Sequence, residues 1–374
     1  MIPVAALSVA AIISAVLALM SGRWPEVAAF HLGFAIGIVP LILAAMTHFV
    51  AVLTRSGEAG LGIRFLPFVA QAAGLVLVAI LLGSVQRALL PVVAGVDLMV
   101  CAILLVWIIR RARACVGSPH PGWRWYAAGL SAFALSLVLI LLMVAFPQWV
   151  LPIKSAHLHL NTLGFVGLAA LGTLPVLMPT ALAQPDPGAG VFLRQRLFPF
   201  VLGVLLLAAA PLLPWATGKM VLAILGATMQ FWVLGKLLWH WVRQFGFATI
   251  VRDGVSASLA AAVCAWLMLL LAGGLHGLGL IAARRAIMAW GAGFLLPLVT
   301  GALSQLLPVW RWPGPRTERH PVMRANLARG GPWRAACFFT ASVLLIAGQN
   351  TPAALFCAAG LGGFLFALLR AYRG

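Results

Sequence analysis

A dozen apolar runs, each about the length of a bilayer-crossing helix, follow one another with only short polar breaks between them. About 20 helical residues span the hydrocarbon core, so runs of this length read as transmembrane helices. Only 8% of the 374 residues are charged and 63% are hydrophobic, whereas a soluble domain carries about 25% charged residues. That balance excludes a soluble globular protein and a disordered chain. It also excludes a basic nucleic-acid-binding domain, which would gather its charge on one polar face. Here the charges punctuate the apolar runs, so membrane lipid is the expected partner and nucleic acid is not.

A window of about 19 residues places the spans at 2–21, 28–53, 64–83, 89–110, 126–146, 155–181, 197–215, 218–239, 254–275, 280–308, 333–349 and 352–370. The first run has no basic segment before it and no small-residue cleavage site, so it reads as a retained helix. Basic residues in short loops mark the cytoplasmic side. The breaks after even-numbered runs, Arg316 among them, hold 19 of the 25 Lys and Arg residues. The other six are Arg23, Arg87, Lys154, Lys219, Arg284 and Arg285. The expected topology is multi-pass in a bacterial cytoplasmic (inner) membrane, with both termini cytoplasmic. The five cysteines form no CxxC pair and no haem-attachment motif, and read as small apolar residues.

The second, sixth and tenth runs resemble one another. His31-Leu32 falls on His159-Leu160 at a shift of 128, and Pro40-Leu41 falls on Pro297-Leu298 at a shift of 257. A period of about four helices predicts an all-α single transmembrane domain, 1–374, of twelve helices in three pseudo-repeats: about 1–125, 126–252 and 253–374. Twelve-helix carriers built as two halves of six would show a different symmetry.

Ionisable residues inside spans point to function by default, because leaving them unpartnered in lipid is costly. His31, His157 and His159 lie in the first turns of the second and sixth runs. Two residues on a helix subtend roughly 200°, so His157 and His159 face opposite ways and can serve two neighbouring sites. Paired imidazoles are standard axial haem ligands. His31 occupies the repeat position of His159, which makes these two the expected low-spin pair, with His157 facing a second haem or metal. His276 and Met288, at the equivalent end of the third repeat, are further candidate metal ligands. Asp97 is the acid well inside a span, placed to orient a ligand histidine or to pair with Arg87. Arg284 and Arg285 are candidate partners for haem propionates. His120 and His320, in loops rich in Arg and Pro, read as solvated surface residues.

The segment from Ala156 to Phe165, Ala-His-Leu-His-Leu-Asn-Thr-Leu-Gly-Phe, resembles the tenth helix of haem–copper oxidase subunit I, in which an H-x-H pair ligates the low-spin and high-spin haems. His31-Leu-Gly-Phe34 followed by Pro40 resembles that family's second helix. In scale and in the motifs around His31, His159 and Gly172-Thr173, the chain is also similar to the NnrS family of haem- and copper-containing membrane proteins linked to nitric oxide. The resemblance implies one or two haem b groups, with copper as a further metal. It also implies a gaseous ligand (nitric oxide or oxygen), a redox partner protein, and a role in nitric oxide or respiratory electron handling. Departures are plain. The H-x-H pair sits on the sixth run, and there is no His-Pro-Glu-Val-Tyr motif and no adjacent His-His pair. The two tyrosines, Tyr126 and Tyr372, lie in no such motif. Oxygen reduction at the usual binuclear centre is therefore not expected, and an oxidoreductase acting on nitric oxide stays open. Alternatives are a twelve-helix transporter or channel, and a non-catalytic membrane subunit or assembly factor.

Overall fold

The computed structural model describes residues 1–315 and 317–373, so Arg316 lies outside the described residues. Every element among them is helical. The long helices are α1 (Ile2–Ser21), α2 (Glu26–Leu53), α3 (Leu61–Leu81), α4 (Arg87–Arg113), α5 (Gly122–Ala145), α6 (Pro147–Leu182), α7 (Ala189–Leu212), α8 (Ala216–Phe245), α9 (Gly254–Gly277), α10 (Ala283–Arg311), α11 (Gly331–Ile346) and α12 (Asn350–Arg373). Eleven of them are long and apolar enough to cross a membrane. The exception is α11, whose 16 residues reach about 24 Å against a hydrocarbon core of about 30 Å. Two short helices, Phe247–Arg252 and Arg319–Ala328, lie in the connections.

Three of the long helices contain a π-helical segment: Leu32–Ile38 in α2, Leu160–Val166 in α6 and Gly291–Leu295 in α10. A π turn widens the helix and displaces its hydrogen-bond ladder, and such turns occur often at functional sites. The same three helices are also the most buried spans. Each π segment carries a Gly-Phe pair, and its glycine lets the preceding helix approach closely. A β-carbon added at Gly33, Gly164 or Gly293 would stand 3.0, 2.9 and 3.0 Å from the β-carbons of Ala15, Ala132 and Ala265. Small residues at such crossings let membrane helices pack backbone to backbone. The following helix packs on the other side: α3 through Gly74 against the Ala35 carbonyl, α7 through Val204 against Gly164, and α11 through Ser342 against Gly293. One local arrangement thus recurs at four-helix intervals.

The chain forms two compact units, residues 1–173 with 204–222, and residues 174–203 with 223–374. In the first, α1 and α3 flank the π segment of α2, and α5 flanks that of α6. The carbonyl of Ile36 would accept from residue 40 in a regular helix, but residue 40 is proline and has no N–H to give. Gln71 Nε2 of α3 donates to it instead, at 3.0 Å. In the second unit, α9 and α11 flank the π segment of α10, and Ser342 Oγ donates to the Ala289 carbonyl just before it, at 2.8 Å. The glycines that open α9 and α11 meet backbone to backbone, since a β-carbon on Gly331 would overlap the Gly254 carbonyl.

The basic loops are used structurally. Arg111 donates to the carbonyls of Gly57 and Glu58, at 2.7 and 3.1 Å. Buried Arg334 donates to those of Leu327 and Arg329, at 2.8 and 2.6 Å, and so satisfies orphan carbonyls at the end of the Arg319–Ala328 helix. Arg111, Arg124, Arg196, Arg243 and Arg311 each lie over a tryptophan. All five belong to the more basic set of loops.

Candidate functional site

His31 and His157 come together in the first unit. They are near enough for a charge on one to act on the other, although they belong to α2 and α6. Both residues are half-buried, as are the neighbouring residues Leu32–Ala35 and Leu158.

Their hydrogen bonds decide which nitrogen keeps a lone pair. His31 Nδ1 lies 2.7 Å from the carbonyl oxygen of Val27, one turn earlier. His157 Nδ1 lies 2.9 Å from the carbonyl oxygen of Ser136 on α5. A carbonyl oxygen only accepts, so in both rings Nδ1 carries the proton and donates. The lone pair of each neutral ring is then on Nε2. A carbonyl at the far nitrogen is the usual device that fixes a ligating histidine's tautomer and orientation.

Asn161 lies one turn after His157. Its amide donates to the His157 carbonyl at 2.9 Å and stands 3.3 and 3.2 Å from Nδ1 and Nε2. A donor on the Nε2 lone-pair axis would be much farther from Nδ1 than from Nε2. An equidistant amide is not on that axis and leaves the lone pair open. His159, half-buried, is the residue from which the α6 π segment starts.

Asp97 is buried on α4, and its Oδ1 has no hydrogen-bond partner. The described ion pairs include Arg64–Glu58 and His240–Asp186, neither of which involves Asp97.

Arg284, Arg285, His276 and Met288 belong to the second unit. The Arg285 guanidinium lies against Gly348 in the turn between α11 and α12. His276 Nδ1 donates to the Ile281 carbonyl at 2.8 Å and closes the turn that follows α9. Met288 is half-buried two residues before Trp290. In this repeat the π segment is packed with aromatic rings. Trp266 and Phe294 centroids are 4.5 Å apart, Trp290 and Phe294 5.5 Å, and Phe200 and Trp266 5.7 Å.

His320 is corrected from a surface residue to a buried one. Its Nε2 donates to the Trp312 carbonyl at 3.0 Å, and its Nδ1 accepts from the Thr317 amide at 3.1 Å. Both ring nitrogens are used, and the ring ties down its own loop. His120 is half-buried, with Nδ1 accepting from the Gly122 amide.

The residues that sequence reasoning missed around the histidines are Val27, Ser136, Asn161 and Lys154. Two of these act through backbone carbonyls, which any residue supplies. Asn161, four residues after His157, carried a readable spacing signal. Among the described residues, no three His, Cys, Asp or Glu side chains group as a metal site. The donor set present is a pair of imidazoles. No family model, curated protein or solved structure matches the chain.

Proposed function

We propose that this is a haem-binding integral membrane protein of the NnrS/haem–copper type, handling nitric oxide or respiratory electrons with a redox partner protein. It would lie in a bacterial cytoplasmic membrane, with twelve helices in three four-helix units and both termini cytoplasmic. The recurrence of a π segment with a Gly-Phe pair in α2, α6 and α10 supports that plan. The observation that carries the function is the neighbouring pair His31 and His157, each held by a carbonyl at Nδ1, which leaves the lone pair on Nε2.

Two neutral imidazoles are the donor set of a low-spin haem b, so the residues present fit the group. A haem held there by the two imidazoles would supply reversible one-electron exchange. The protein's part is to fix the two rings, exclude bulk water and set the polarity around them. We favour His31 with His157 as the pair, since a charge on one acts on the other, in place of the expected His31 with His159. His159 then serves a second haem or copper site on the other face of α6. The aromatic filling around the third π segment favours histidine chemistry in the first unit only.

The test is a reduced-minus-oxidised spectrum of protein purified from haem-supplemented cells. A Soret and α-band are expected. His31→Ala and His157→Ala should each lose the low-spin signature, and His159→Ala should keep it. A wild-type protein without any haem band overturns the proposal. One observation favours a second reading, a transporter: the carboxyl of Asp97, buried in a span with an unpartnered oxygen, is the kind of group that marks an ion or proton path.

A further inference from the structure

Arg196 of α7 lies over Trp232 of α8, its guanidinium carbon 4.2 Å from the ring centroid. Both residues belong to the second compact unit. The two helices run antiparallel here: Gly203 of α7 lies against the Gly226 carbonyl of α8, and Gly188, just before α7, lies against His240. Trp232 is exposed, and so are Lys236, Trp239 and Arg243. Their spacing of four, three and four residues puts them on one stripe of α8. Arg243 lies over Trp239, 5.7 Å from its centroid. Lys236 comes about 30 Å along α8 from its start at Ala216, one hydrocarbon thickness. The stripe therefore runs out of the apolar layer into the headgroup layer, where tryptophans and long cations settle.

The described ion pairs involve none of Arg196, Lys236 and Arg243. The acid beside them, Asp186, has a buried side chain held by His240 at 2.8 Å and by the Gly188 amide at 2.9 Å. Other arginines spend their donors on main-chain carbonyls, Arg111 on those of Gly57 and Glu58 and Arg334 on those of Leu327 and Arg329. Arg196 Nε is instead buried without a hydrogen-bond partner. A guanidinium stacked on an aromatic face is held in place while its N–H edges stay available to an anion.

We propose that this stripe binds an anionic phospholipid, its phosphate held by Arg196 and Lys236 and an acyl chain lying along Trp232. Basic pockets between membrane helices at headgroup depth recognise lipids in this way. Net charge selects the lipid: a zwitterionic headgroup brings its own ammonium, which the three cations repel. The exposed tryptophans select a lipid over a free phosphate, because they offer apolar surface to a chain.

The experiment is native mass spectrometry of the full chain released from detergent micelles, titrated with phosphatidylglycerol or with phosphatidylcholine of the same acyl chains. Wild type should bind phosphatidylglycerol more tightly. Arg196→Gln should weaken phosphatidylglycerol about tenfold, the size of one charge-assisted bond, and leave phosphatidylcholine unchanged. Lys236→Gln, at an exposed position, should act in the same direction and keeps the test open if Arg196→Gln fails to fold. Arg194→Gln is the control. Arg194 is exposed and lies two residues from Arg196, roughly 200° round the helix, so its loss should change nothing. Glycerol phosphate at the same concentration should not displace the lipid. Equal binding of the two lipids by wild type overturns the proposal, as does an Arg194→Gln variant as weak as Arg196→Gln. So does a Lys236→Gln variant that binds phosphatidylglycerol like wild type. Full displacement by glycerol phosphate would make the stripe a site for free phosphates and overturn the lipid assignment.

Discussion

His157 Nδ1 donates to the main-chain carbonyl of Ser136, 2.9 Å away on the preceding helix. The bond crosses from α6 to α5 and uses an acceptor that no side-chain replacement removes. It fixes the ring's tautomer and direction through the fold itself. His31 achieves the same within its own helix, through Val27. Both lone pairs are therefore set by the fold alone, the preorganisation that the proposed metal ligation would need.

The Asn161 amide donates to the His157 carbonyl and lies against its ring from the same helix. Asn161→Leu keeps the volume and removes the amide. Supporting residues around metal ligands typically contribute 10–100-fold in affinity. The variant should release haem about tenfold faster to an excess of apo-globin and should keep the low-spin spectrum while loaded. An unchanged release rate would show that the Ser136 bond alone holds the ring.

Gln71→Leu should destabilise the first unit. It strips the Ile36 carbonyl of the donor that Pro40 cannot supply, and an unsatisfied buried group costs about 1–3 kcal/mol. The expected result is a lower unfolding temperature in detergent. Stability equal to wild type would mean that the widened turn rearranges to satisfy its own carbonyl.

Part of this arrangement was legible in the residues. Long apolar runs announced the helices, and the correspondence of His31 with His159 and of Pro40 with Pro297 announced a four-helix period. The π segments were not legible. Helices that are apolar on every side carry no periodic signal to tell one pitch from another. The Gly-Phe pairs at 33–34, 164–165 and 293–294 marked their places but not their geometry. The carbonyls of Val27 and Ser136 left no trace, because every residue has one. His320 misled through its neighbours: a loop rich in Arg and Pro suggested water, while the ring folds inward onto Trp312 and Thr317.

Glycine substitutions separate close helix contacts from open ones. Gly331→Ala should fail to fold or lose at least about 2 kcal/mol, in the range for overpacking a tight site, because its β-carbon would overlap the Gly254 backbone. Gly235→Ala on α8 meets nothing within 4 Å and should be neutral or stabilising by up to about 1 kcal/mol, through helix propensity. Thermal unfolding of the pair in one detergent measures both. Equal behaviour would mean that α9 and α11 do not meet at these glycines.

The orientation is open to a direct test with a native thiol. Cys115 lies in the loop between α4 and α5, partly exposed, next to Val116, which is among the most exposed residues. Cys101, Cys337 and Cys357 are buried, and Cys264 is exposed on the apolar helix α9, where it would face lipid. A charged, membrane-impermeant maleimide reacts with the thiolate and so needs water at the sulfur, which makes Cys115 the expected target. The loop belongs to the strongly basic set, which the positive-inside rule assigns to the cytoplasm. Inverted membrane vesicles should therefore be labelled and right-side-out spheroplasts should not, and Cys115→Ser should abolish the label. Labelling of intact spheroplasts at Cys115 would place the basic loops outside and reverse the topology, putting His31, His157 and Lys154 nearer the cytoplasmic face.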